Sequence, residues 1–126
     1  MKYCYGLMLL LMLCTSCISL GETALGGPYY VAQDPAASYK TLYYRGPDGL
    51  DFERVPNVRR AGYTAEFIFV ESAQGFYLLD RALDQPTDSS DPTVQKALLG
   101  PLPAAEFKAL LSRLRIPDFA FHYSAL

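Results

Sequence analysis

Residues 64–71 read Thr-Ala-Glu-Phe-Ile-Phe-Val-Glu. In extended chain, successive side chains point to opposite faces. Phe67 and Phe69 then face one way and Ile68 and Val70 the other, so neither face can be left in water. Such a strand belongs at the centre of a sheet, covered on both sides. Its partner follows at once. Ser72-Ala73-Gln74-Gly75 makes a turn, with Gly75 supplying the backbone freedom, and Phe76-Tyr77-Leu78-Leu79-Asp80-Arg81 returns as the second arm of a hairpin.

Upstream, Tyr29-Tyr30-Val31 begins the fold as a short strand. Tyr39–Arg45 is dense in aromatic and β-branched residues and reads as another. Gly46-Pro47-Asp48-Gly49 turns the chain. Residues 50–55 then alternate, with Leu50, Phe52 and Arg54 against Asp51, Glu53 and Val55, as the return arm with one wetter face. Residues 58–63 are a third pairing segment or a crossing loop. Residues 82–91 read as a mobile, solvated loop. Asp91 and Pro92 suit the start of a short helix, and Gly100-Pro101 ends it. Residues 103–115 form the best helix, with Phe107, Leu110, Leu111 and Leu114 on one stripe. Residues 119–124 alternate as a last strand. The expected fold class is α+β: an antiparallel sheet of about four to six strands with one long amphipathic helix packed on one face.

The amino terminus follows the order of an export signal: Lys2, an apolar run over Leu7–Leu13, then small residues and a cysteine. The run falls short of the ~20 apolar residues of a membrane span. Thr15-Ser16-Cys17 resembles the lipobox of bacterial lipoproteins, departing from it at Cys14, where Leu is usual. The resemblance implies cleavage after Ser16, acylation of Cys17 and attachment to a membrane through that lipid. With Ile18 rather than Asp after the cysteine, it implies the outer membrane of a two-membrane cell, facing the periplasm; in a one-membrane cell the same signal implies the outer face of the plasma membrane. The chain then divides into a signal peptide over 1–16, a lipid-anchored flexible tether over 17–28 and a single small α+β domain over 29–126. The tyrosine-rich hairpin, Glu66–Val70, Phe76–Asp80, Gly100-Pro101-Leu102 and Glu106-Phe107 together resemble small uncharacterised bacterial lipoproteins over most of residues 39–116. That resemblance lends no catalytic residue.

Reactive chemistry is sparse. Cys4, Cys14 and Cys17 are the three cysteines, all in or at the end of the signal, so the mature domain holds no intrachain disulfide. The net charge of −2 and the scattered basic residues give nucleic-acid binding no support. His122 is the sole histidine and reads as an ordinary strand residue. Asp84, Asp88 and Asp91 lack the alternate spacing and the glycine of a calcium loop. No catalytic residue, no metal and no small-molecule cofactor is expected, and the reading is not an enzyme. The tyrosines are the positive signal, 10 of them with no tryptophan. Tyrosine fills an edge of the core while wetting its hydroxyl, and it is enriched at contact surfaces. Tyr43, Tyr44, Arg45, Tyr63 and Tyr77 are the candidate binding patch. The expected function is a membrane-anchored lipoprotein that binds a protein or cell-wall partner in the envelope, as an inhibitor or immunity-type protein. The alternatives are a structural, wall-associated envelope lipoprotein, or a small hydrolase using His122 beside a carboxylate.

Overall fold

The structure is a computed structural model and describes residues 21–116 and 119–125. Two antiparallel sheets make up the fold. The first holds β1 (Thr23–Ala24), β2 (Tyr29–Gln33), β3 (Lys40–Arg45) and β4 (Asp51–Val55), in the order β1-β2-β3-β4. The second holds β5 (Val58–Tyr63), β6 (Phe67–Ser72), β7 (Gly75–Asp80), β8 (Leu98–Leu102) and β9 (Phe121–Ser124), in the order β8-β7-β6-β5-β9. Helices α1 (Pro92–Ala97) and α2 (Ala104–Arg113) lie between β7 and β9 in the chain.

The chain leaves one sheet for the other at Pro56-Asn57. Proline cannot donate to a ladder, and Asn57 takes a φ of 53°, a left-handed conformation that asparagine tolerates. The two inner faces share one core. Tyr29, Val31, Leu42 and Val55 meet Ala61, Ile68, Val70 and Leu79, with Leu25 and Ala97 closing it. The outer face of the second sheet carries a separate core, in which Phe69 and Leu78 pack on Phe107 and Leu111 of α2. Strand β6 therefore serves both: Ile68 and Val70 turn to the first sheet and Phe69 to the helix, as its alternation requires. Each such fully buried side chain is worth ~1.5–3 kcal/mol.

The α+β expectation, one sheet under a long helix, is overturned. The molecule is mostly β, and the cover over Ile68 and Val70 is a second sheet. The helix runs only Ala104–Arg113; Phe107 and Leu111 are buried, while Leu114, on the expected stripe, is 37% exposed. Strands β2, β3 and β4 of the covering sheet lie in segments read as strands, but β1, β5 and β8 came from segments read as irregular or left open. Within the expected tether, Thr23 and Ala24 pair with Val31 and Tyr30, and Leu25 is 0% exposed. Gly100-Pro101, read as a stop, lies inside β8, which pairs with β7. The undecided segment 58–63 is β5, which joins β6 to β9. Asp91 does cap α1, its Oδ1 accepting from the Thr93 N–H at 2.8 Å. The signal peptide over 1–16, the Ser16 cleavage point and Cys17 lie outside the described residues.

Candidate functional site

Four connections gather at one end of the molecule: residues 26–28, 46–50, 64–66 and the segment after β7. The register places them there, because Tyr29 opposes Tyr44, Tyr63 opposes Ile68, and Phe67 opposes Asp80. Between them opens a cleft of about 640 Å³, lined by Tyr29, Tyr44, Glu66, Phe67, Asp80 and Arg81 among others. Leu50 and Leu83 stand out from loops at this same end, 59% and 49% exposed.

Behind the cleft lies a buried charge pair. β4 carries one residue more than β3 between Leu42↔Val55 and Tyr43↔Glu53, and that residue is Arg54. A bulge of this kind lets neighbouring side chains share a face. Arg54 and Val55 are both buried. Arg54 Nε donates to Asp84 Oδ1 and Oδ2 at 3.2 and 3.1 Å, and Nη2 donates to the Gln85 carbonyl at 2.7 Å. The Tyr29 hydroxyl donates to Asp84 Oδ2 at 2.8 Å. Burial first, and this bond second, push the Tyr29 phenol far above its ordinary pKa. Every buried side-chain polar atom among the described residues has a partner. The cluster ties the segment after β7 to the first sheet.

Arg81 sits on that tied segment. Its Nη1 donates to the Thr64 carbonyl at 2.9 Å, and its guanidinium lies 5.6 Å from the centre of the Tyr29 ring. Gly27, at a φ of +57°, admits it: a Cβ there would stand 2.7 Å from Arg81 Nη2. The guanidinium is thus held in place while four of the groups around it remain open to the cleft: Tyr44, Glu66, Phe67 and Asp80.

Of the five residues expected to form a binding patch, only Tyr44 lines this cleft. Its ring meets Tyr29 edge-on at 5.3 Å. Tyr43 and Arg45 lie on the outer face of the first sheet, where Tyr43 stacks on Tyr30 at 5.5 Å and Arg45 covers Tyr30 at 4.2 Å. Arg45 pairs with Glu22 at 3.0 Å and Asp51 at 3.4 Å. Tyr63 and Tyr77 pack against the shared core. The five do not form one surface.

No protein-family model, curated protein or solved structure matches the chain. The site is therefore argued from its own chemistry. His122 is exposed, its Nδ1 accepting from the Tyr63 N–H at 3.3 Å, and it makes no ion pair among the described residues. No group of three or more His, Cys, Asp or Glu is placed to hold a metal ion among the described residues. The three loop aspartates do separate work. Asp84 is buried in the charge pair, Asp88 accepts from the Ser90 N–H, which holds its carboxyl below the usual range, and Asp91 caps α1. Asp84 thus corrects the reading of a solvated loop. Tyr29, Arg54, Phe67, Arg81 and Asp84 were missed as site residues. One signal was available: Arg54 shares strand parity with Leu50 and Phe52, and an arginine on an apolar face demands a carboxylate.

Proposed function

We propose that the protein is a lipid-anchored lipoprotein of the cell envelope that binds a macromolecular partner at the loop end of its two sheets, as an inhibitor or immunity-type protein would. The lipobox-like Thr15-Ser16-Cys17 supports the anchor, and Ile18 supports the outer membrane facing the periplasm. With β1 starting at Thr23, the six residue steps from Cys17 reach at most ~22 Å, so the domain stays close to the lipid surface.

The observation that carries the binding reading is the placement of Arg81. Arginine and tyrosine dominate interface hot spots, and a side chain already held in its bound position loses less entropy on association. Arg81 is fixed by Thr64 and Tyr29, and Tyr29 by Asp84, which is paired with Arg54. Exposed Leu50 and Leu83, in loops at the same end, add apolar surface there.

The test is a crosslinked pull-down from the native envelope, comparing wild type with Arg81→Ala and Cys17→Ala. The reading expects one dominant protein partner, lost in Arg81→Ala, and acyl groups on Cys17 by mass spectrometry. Retention on isolated cell wall without a protein partner would replace it with the wall-associated role. An unmodified Cys17 would remove the anchor. A partner captured equally by Arg81→Ala would move the binding surface elsewhere.

A further inference from the structure

A second cavity lies on the far side of the second sheet, against α2 and β9. It holds about 340 Å³, within the ~300–1,000 Å³ range of ligand pockets. Its floor is aromatic. Phe76 and Phe107 stack at 4.7 Å, and Phe119 stands edge-on to Phe107 at 6.0 Å and to Phe121 at 5.0 Å. The wall is Leu111. Polar groups occur among the lining residues only as Arg60, Lys108 and Ser112, and these three are differently employed. Arg60 is committed, pairing with Glu71 and lying 4.3 Å over the Phe121 ring. The Ser112 hydroxyl donates to the Lys108 carbonyl at 3.1 Å. The Lys108 side chain is exposed and enters none of the ion pairs among the described residues.

An apolar floor without hydrogen-bonding groups accepts a chain that has none along its length. Lys108 is an exposed cation among the lining residues, and with Glu71 paired to Arg60 the lining favours a negative head. We propose that this groove binds an anionic amphiphile, a single acyl chain bearing a carboxylate, with the chain on Phe76, Phe107 and Phe119 and the carboxylate at Lys108. The site is independent of the loop-end cleft and does not rest on the anchor.

Titration of the full chain carrying Cys17→Ala, which has no acyl group of its own, with dodecanoate and with dodecanol below micelle formation tests this. Saturable one-to-one binding of dodecanoate is expected, about tenfold tighter than dodecanol, the size of one charge-assisted hydrogen bond. Lys108→Glu, at an exposed helix position that glutamate suits, is expected to abolish that preference while dodecanol binding stays unchanged. Lys108→Arg is expected to keep it. Amide shifts on titration should map to Phe76, Phe107, Leu111 and Phe119. Absence of saturation, shifts centred on Tyr29 and Arg81, or a preference that survives Lys108→Glu would each overturn the proposal.

Discussion

Arg54 Nε lies 3.2 and 3.1 Å from the two carboxylate oxygens of Asp84, and neither side chain has any exposed surface. Two charges removed from water stabilise little as a pair, but either one alone is costly. Asp84→Ala is expected to lower unfolding stability by ~3–5 kcal/mol, because Arg54 would stay buried with its charge unmatched. Replacing all three members, Tyr29→Phe with Arg54→Met and Asp84→Leu, is expected to return stability close to wild type. Urea denaturation reads both. An Asp84→Ala cost below ~1 kcal/mol, the range of exposed pairs, would mean that water reaches the pair.

Tyrosine ionisation is expected to weaken the fold in alkali. Burial, then the bond to Asp84, raises Tyr29; burial, then Asp51, raises Tyr30 to about 12; burial raises Tyr43. The folded protein therefore holds these protons more tightly than the unfolded chain, whose tyrosines titrate near pH 10.0. Their contribution is full below that pH, and it falls as the unfolded chain releases protons first. Stability by urea denaturation is expected to decline from about pH 10 to about pH 12, with tyrosinate absorbance rising as the fold is lost. Tyr30→Phe should make the decline shallower. A flat profile across that window would contradict the burial of these rings.

Much of the second sheet was legible because its signals are local. Phe67–Val70 declares two buried faces by alternation alone, and both covers exist. The identity of one cover was not legible. Whether Ile68 and Val70 meet a helix or a sheet depends on how residues distant in sequence fold back, which no local period encodes. The tether misled for a related reason. Gly26-Gly27-Pro28 reads as flexible, but here it turns a hairpin that lets Leu25 reach the core. The scatter of the five candidate residues over separate surfaces was not legible, because tyrosine patterns do not say which face a partner covers. Tyr43 and Tyr44 are adjacent, yet one stacks on the outer face and the other lines the cleft. Arg54 was placed on the correct side of its strand, but its meaning needed Asp84, 30 residues away.

The two-sided role of β6 makes Phe69 a sharper test of the architecture than the helix stripe. Phe69 is 0% exposed and lies 4.9 Å from Phe119 and 6.5 Å from Phe107. Phe69→Ala is expected to cost ~3–5 kcal/mol through the cavity it leaves. Leu114→Ala, on the stripe but exposed, should stay within ~0.5 kcal/mol. Chemical denaturation of the two variants decides the matter. Equal losses would restore the long-helix packing read from the sequence.

Gly62 is where β9 comes closest to β5. A Cβ added there would collide with the Ala120 carbonyl oxygen and lie 3.3 Å from Phe121 Cα. Both are backbone atoms, so no rotamer change can clear them, and β9 must move. Gly62→Ala is expected to destabilise by ~1–3 kcal/mol, as overpacking does. The loss should be local. The Ala125 N–H, which donates to the Arg59 carbonyl at 2.8 Å, should exchange faster with solvent, while the β6–β7 amides keep their protection. Because Phe119 and Phe121 flank Ala120, the same displacement would open the aromatic groove and weaken dodecanoate binding. Unchanged exchange at Ala125 together with unchanged stability would mean that β9 does not lie against β5 at this distance.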